Sequence, residues 1–194
     1  EVLSLLSNWD CIFVKGNHEE MLQKCMNDSD FLADVTKKYG SGIEIALNSL
    51  SHDQLNFLCN LPLSISVTLE NTSFLICHGS PVSANDYLYP DASREEVKNF
   101  LEIEEDILVH GHTHYPATFT LNNKKIINPG SVGQTRNGLH GAYWGYYDLE
   151  NNTFTQRSEF YDTKSLLNEV KQINPNLNYL SKILTRKINE LRTN

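Results

Sequence analysis

The sequence predicts an α/β fold, and three observations carry that reading. At three places an apolar run gives way to a turn holding glycine and histidine: Gly16 to His18, His78 to Gly79, and Gly111 to His114. The carboxyl edge of an open α/β sheet is where such turns gather. Period-two runs broken by Asn-rich turns read as hairpins, while other stretches place apolar residues three or four apart, as helices do. At 194 residues, with 40% hydrophobic and 21% charged side chains, the chain suits one sizeable globular domain.

Taken in order, Glu1 to Ser7 reads as the tail of an amphipathic helix and Cys11 to Val14 as a short buried strand. The polar cluster Lys15 to Glu20 follows, and Met21, Leu22 and Met26 resume a helical stripe. Asp28 to Leu58 is helical, broken near Tyr39 to Gly42 and at Ser51, where Ser51 or Asp53 caps a new helix. Its aromatic and aliphatic residues are read as core. Leu63 to Glu70 alternates as a strand, Asn71 and Thr72 turn the chain, and Ser73 to Cys77 forms the second arm of a hairpin. A loop with Tyr87 and Tyr89 leads to Ser93, which forms a capping box with Glu96 ahead of Val97, Phe100 and Leu101. Ile107 to Val109 is the next strand. Pro116 to Leu121 and Lys125 to Asn128 flank a turn at Asn122 to Lys124, and Ala142 to Asp148 and Thr153 to Phe160 make a third hairpin. Asp162 caps a helix through Leu166, Leu167 and Val170. Leu177, Leu180, Leu184, Ile188 and Leu191 then mark one face of a terminal helix that packs on the domain.

Charge and cysteine usage narrow the function classes. Sixteen basic against twenty-four acidic side chains leave a formal net charge of -8, which argues against a broad nucleic-acid surface or an anionic membrane. No stretch is long enough to span a bilayer. Cys11, Cys25, Cys59 and Cys77 show no CxxC pair, so they read as reduced thiols of a cytoplasmic protein. The chain opens at Glu1, without methionine, directly into a helical pattern, and the expectation is that an upstream segment is missing from it.

The chemistry sits in the turns. His112 and His114 are spaced i, i+2, so an extended backbone past Gly111 would send both imidazoles to one face. Convergent neutral imidazoles suit a divalent transition metal. His78 and Asn17 occupy comparable positions, and an imidazole set with one amide oxygen suits manganese, iron or zinc. Two such ions about 3.5 to 4 Å apart would clamp both the attacking and the leaving oxygen of a phosphoryl displacement. His18, adjacent to Asn17 but aimed elsewhere, is the natural proton donor to the leaving group or clamp on the phosphoryl oxygens.

GNHEE at Gly16 to Glu20, CHGSP at Cys77 to Pro81, GHTH at Gly111 to His114 and NPGSVG at Asn128 to Gly133 stand in an order that resembles the calcineurin-like metallophosphoesterases. The likeness is to the small bacterial and archaeal phosphodiesterases of that superfamily and covers roughly Glu1 to Phe160. It implies a sandwich of two mixed β-sheets flanked by helices, spanning residues 1–162, with residues 163–194 as a helical extension packed on the same domain. It also implies that Asn17, His78 and His112 hold the second metal, that His114 belongs to the first, and that His18 is catalytic. The cofactors it implies are two divalent ions, manganese first, with iron, zinc or nickel as alternatives. The substrate is a small phosphorylated molecule, either a phosphodiester or a phosphomonoester, attacked by a hydroxide bound to the metal pair.

The sequence also departs from that family. An Asp-x-His strand end and a Gly-Asp turn, which supply the remaining ligands and the bridging carboxylate, are absent upstream of Cys11. One βαβ unit, on the order of 30 residues, is therefore expected to be missing. The expectation is that the chain as given is a poor catalyst or none, while the complete protein is a hydrolase. The alternative is a catalytically silent binding or scaffold module of the same fold, against which the presence of His18 speaks. Among the other candidates, His110 is read as scaffold and His52 and His140 as surface residues, while Glu19 is read as a helix-start carboxylate near the dipole, with orienting the His18 turn as the alternative. Asn128 to Gly133 is read as structural support, and Arg136 as a surface arginine, with reaching a substrate phosphate as the alternative.

Overall fold

A computed structural model describes residues 1–139 and 141–185 of the chain. Five helices come first: α1 (Val2–Leu6), α2 (Asn17–Cys25), α3 (Ser29–Tyr39), α4 (Gly42–Ser49) and α5 (His52–Cys59). Then follow β1 (Ser64–Leu69), β2 (Thr72–Cys77), α6 (Arg94–Phe100), β3 (Ile107–Val109), β4 (Ala117–Leu121) and β5 (Lys124–Asn128). The chain continues through β6 (Ala142–Asp148), β7 (Thr153–Glu159), α7 (Thr163–Ile173) and α8 (Asn178–Thr185). Helix starts fall where side chains can satisfy the free N–H groups of the first turn. Asp28 accepts from the Phe31 N–H at 2.9 Å, Ser51 and Gln54 form a reciprocal box, Ser93 and Glu96 form another, and Asp162 accepts from Lys164.

The main sheet has the order β1-β2-β3-β5-β4. β3 runs parallel to both β2 and β5, and β1 and β4 are antiparallel edge strands. Strands buried on both faces read as near-continuous apolar runs, as Ile107 to Val109 of β3, Phe74 to Cys77 of β2 and Ile126 and Ile127 of β5 do. Leu75, Cys77, Leu108 and Ile126 face Leu88 and α6, while Phe74, Ile107 and Ile127 face Tyr147, Leu149 and Phe154 of the second sheet and its turn. That second sheet is the β6–β7 hairpin. A third apolar cluster, Leu22, Cys25, Val35, Ile43, Leu55 and Cys59, joins α2 to α5.

The α/β sandwich is thus present, with three corrections. The second sheet is a purely antiparallel pair, because a hairpin turn can join antiparallel strands only. Cys11 to Val14 forms no strand: Ile12 is 52% exposed, and no strand among the described residues runs beside it. Its tie to the fold is the Lys15 N–H to Pro62 carbonyl bond at 2.7 Å. The first hairpin turn lies one residue earlier than expected, at Glu70–Asn71, and the second, at Asn122–Asn123, is one residue shorter than expected because Lys124 joins β5. Asn122 and Asn123 both have positive φ, the pair that a twisted two-residue hairpin selects. The capped helices, the third hairpin and the Ile107 to Val109 strand are as expected. Ile188, Leu191 and His140 lie outside the described residues.

The terminal helices pack across the first helical group. The Asn174 side chain accepts from the Ser41 N–H at 3.0 Å and from the Ser41 hydroxyl at 3.3 Å. Ile183 is buried. No helix among the described residues is long and apolar enough to cross a membrane.

Two-sided burial of β3 has a measurable consequence. Leu108 is fully buried on the central strand, so Leu108→Ala is expected to cost about 2 to 5 kcal/mol in denaturant unfolding. Leu69, half exposed on the edge strand, is expected to cost less than about 1 kcal/mol when changed to alanine. Equal costs at the two positions would contradict this packing.

Candidate metal centre

The parallel register Ile76↔Val109 brings the carboxyl ends of β2 and β3 side by side. His78 follows β2 at once, and His110 to His114 follow β3. The two loops are joined directly by the Gly111 N–H, which donates to the His78 carbonyl at 2.8 Å. Gly79 lets the His78 loop turn tightly, since a β-carbon there would stand 2.5 Å from the Ser83 carbonyl oxygen. The third loop comes from the start of α2. Gly16 sits so close to the His78 ring that a β-carbon would lie 3.2 Å from Cγ and Nδ1. The Glu19 carboxylate accepts the Gly16 N–H at 2.9 Å, so Glu19 does more than face solvent near the dipole: it ties down the turn that presents Asn17.

Three donor atoms meet as a result. His78 Nε2 lies 3.0 Å from Asn17 Oδ1 and 3.0 Å from His112 Nδ1. Burial pushes the imidazoles of His78 and His112 down to about 4, and neighbouring rings, with Arg136 at His112, push the same way. Both rings are therefore neutral at pH 7, and each keeps one lone pair, the tautomer deciding which ring nitrogen carries it. Two imidazole nitrogens and an amide oxygen converging on one point form a donor set that a first-row divalent cation accepts. Cis donors around an octahedral ion at about 2.1 Å are about 3.0 Å apart, so the observed spacing fits. No further His, Cys, Asp or Glu joins these donors to form a cluster of three among the described residues.

His112 and His114 reach the site by a route the spacing argument did not contain. Their φ values are 60° and 61°, so the backbone is left-handed at both residues rather than extended. Asn128 braces this coiled loop: fully buried, it donates to the Gly111 carbonyl at 2.8 Å and to Thr113 Oγ1 at 3.0 Å, and accepts from Gly130. The stretch from Asn128 thus supports the histidine loop structurally, as its turn chemistry suggested. His114 Nδ1 donates to the Gln134 carbonyl at 2.7 Å, which assigns the proton to Nδ1 and leaves the Nε2 lone pair free. Burial lowers the pKa of His114 too. His110 is 2% exposed, packed against Phe100 in the core, and is part of the scaffold.

Around these groups lies a cavity of about 150 Å³. Asn17, His18, His78, His112 and His114 all line it. His18 is exposed in the first turn of α2, its ring 6.5 Å from that of Tyr39. Arg136 also lines the cavity, and its backbone N–H donates to the His114 carbonyl at 3.1 Å; it is no mere surface arginine. Tyr39, read as core, packs on the helical cluster and faces the cavity as well. Tyr87, whose ring lies 4.1 Å from that of His112, and Tyr179 and Leu180 of α8 complete the wall. No local pattern marks these residues, because separate segments bring them together.

Residues 1–152 match the calcineurin-like phosphoesterase superfamily domain. An uncharacterized protein of Methanocaldococcus jannaschii is 30% identical over 167 residues, which cover 76% of this chain and 64% of that relative. A crystal structure of a hypothetical protein from Pyrococcus horikoshii OT3 superposes with a TM-score of 0.81 at 17% identity, covering 95% of this chain and 77% of that one. A metallophosphoesterase from Sphaerobacter thermophilus superposes with a TM-score of 0.68 at 21% identity, covering 88% and 75%. These two likenesses establish the fold, and the domain match establishes the family: the chain belongs to the calcineurin-like phosphoesterase superfamily.

Proposed function

We propose that this chain carries the imidazole side of a metal-dependent phosphoesterase centre. Asn17, His78 and His112 would hold one divalent cation, manganese first among the candidates, and His114, in the wall of the same cavity with its Nε2 lone pair free, would serve a second. The observation that carries the reading is the 3.0 Å spacing of Asn17 Oδ1 and His112 Nδ1 from His78 Nε2. A divalent cation there supplies Lewis acidity toward a phosphoryl oxygen.

The chain's own residues do the rest. Neutral imidazoles keep their lone pairs because the buried site resists protonation, and Gln134 fixes the His114 tautomer. Arg136 brings the cavity a positive charge suited to a phosphoryl oxygen. Hydrolysis of a phosphoester forms one P–O bond to the oxygen of water and breaks one to the ester oxygen. His18, in reach of solvent and of the cavity, delivers the proton that the departing oxygen takes up. The cavity wall includes no Asp or Glu among the described residues. A second cation, and the bridging carboxylate of a dinuclear centre, therefore need donors beyond these, and the 194-residue chain alone is proposed to be a slow catalyst. The substrate is a small phosphodiester or phosphomonoester, and the protein works in the cytoplasm.

Release of methanol from dimethyl phosphate and of inorganic phosphate from methyl phosphate, with added manganese, tests this reading on the 194-residue chain and on the native gene product. The native product is expected to be active, to be silenced by chelator, and to lose about 10²- to 10⁴-fold in kcat with His18→Ala. Full activity in His18→Ala removes that residue's role, and indifference to chelator removes the metal. Retained metal binding without turnover in the native product would favour the scaffold alternative.

A second prediction follows from the neutral rings. With pKa values near 4 in the folded chain against about 6.5 unfolded, His78 and His112 leave the unfolded state binding more protons between those limits. Their contribution is fully present above pH 6.5 and is lost as the pH falls toward 4. Metal-free unfolding curves are expected to show stability falling from pH 7 to pH 5, before the carboxylates titrate. A flat profile over that window would contradict the burial assigned to these rings.

A further inference from the structure

We infer that the C-terminal helix α8 limits the size of the phosphate compound this site accepts, with Tyr179 as the wall at its mouth and as the partner that positions Arg136. The inference rests on the phosphoesterase reading above and concerns its substrate class. It comes from the contribution of α8 to a cavity whose Asn and His donors lie more than 60 residues away in the chain.

Tyr179 and Leu180 line the same cavity as His112 and His114. Tyr179 is 43% exposed, which places its ring at the rim rather than in the core. Its hydroxyl accepts a long hydrogen bond, 3.4 Å, from Arg136 Nη2. From the other side, the backbone of Arg136 is tied to the His114 carbonyl at 3.1 Å. The guanidinium therefore hangs between the histidine loop and the terminal helix, and is the one cationic side chain in the cavity wall among the described residues. A planar guanidinium in a wall without carboxylates is suited to an anion with several oxygens, such as a phosphoryl group.

The helix itself is anchored. Asn174 accepts twice from Ser41 ahead of α4, and Leu180 packs against Gly40, where a β-carbon would stand 3.1 Å from Leu180 Cδ1. Ile183, one turn further, is buried. Tyr179 is thus held in place by its own helix rather than by the long bond to Arg136. With the helix so placed, about 150 Å³ is enclosed, well below the roughly 300 to 1,000 Å³ of sites that engulf drug-sized ligands. A phosphoryl group with a short substituent fits that space. A phosphate bearing an aromatic group meets the Tyr179 ring.

Calorimetric titration with inorganic phosphate, methylphosphonate and benzylphosphonate, with and without saturating manganese, tests the inference without turnover. The unaltered chain is expected to bind phosphate and methylphosphonate about equally and benzylphosphonate about tenfold more weakly. Tyr179→Ala is expected to bring benzylphosphonate within about threefold of methylphosphonate. Tyr179→Phe keeps the ring and so is expected to keep the discrimination, while all three ligands weaken together as Arg136 loses its partner. Arg136→Met is expected to weaken all three by about tenfold. Discrimination that is absent in the unaltered chain, or unchanged in Tyr179→Ala, overturns the inference, as does failure of all three ligands to bind. Size selection that disappears in Tyr179→Ala while no ester is ever hydrolysed would support the wall and sink the hydrolase. Chelator-sensitive hydrolysis without size selection would do the reverse.

Discussion

The hydrogen bond between Gly111 and the His78 carbonyl is the constraint on which the site depends. It joins two loops that leave neighbouring parallel strands, and it places a histidine from each within 3.0 Å of the other. Two neutral imidazole nitrogens at that distance either share one ring's N–H as a hydrogen bond or, in the other tautomer, turn both lone pairs to a cation. Burial keeps both rings uncharged in either case. The fold therefore spends backbone geometry, glycine at Gly79 and two left-handed histidines on holding lone pairs together, an arrangement that makes sense once a cation is supplied. Asn128 matters for the same reason. Its three hydrogen bonds replace the strand ladder that ends at β5 and β3, and they fix a loop whose backbone lies in a sparsely populated region.

Charge tells a consistent story at two scales. The chain as a whole carries a formal net charge of -8, so no broad basic face draws in an anionic partner. Locally, the cavity wall offers neutral imidazoles and the single guanidinium of Arg136, without a carboxylate among the described residues. On the proposed reading, attraction for a phosphoryl group would come from bound metal and from Arg136, which lines the same cavity as the donors. The cysteines stand apart from this chemistry. Cys25, Cys59 and Cys77 are buried free thiols, and burial pushes Cys77 up to about 12, so it stays protonated and serves as core.

Features set by neighbouring residues were legible in the sequence. Ser51, Ser93 and Asp162 announce their helices because a cap is made within three or four residues, and the Asn-rich turns announce hairpins because positive φ selects their residue types. Asn17, His78 and His112 could be nominated because each follows an apolar segment at a glycine turn. Contributions from distant segments were not legible. Whether Cys11 to Val14 becomes a strand depends on a neighbour, and period alone cannot supply one. The left-handed backbone at His112 and His114 is braced by Asn128, 16 and 14 residues downstream. Tyr39 carries the same apolar signal whether it faces core or cavity, and Tyr179 and Arg136 meet across 43 residues of chain. Their roles come from the tertiary fold.

The central claim is that Asn17, His78 and His112 form one cation site, and a direct measurement of it is manganese binding by equilibrium titration followed by electron paramagnetic resonance. The account predicts that the 194-residue chain binds the ion, that His78→Ala and His112→Ala each lose binding by at least about 10-fold, and that Asn17→Ala weakens it. His52→Ala, a change at an exposed histidine on α5, should leave binding unaltered. Binding that survives unchanged in both His78→Ala and His112→Ala, or the lack of any binding in the unaltered chain, would contradict the account.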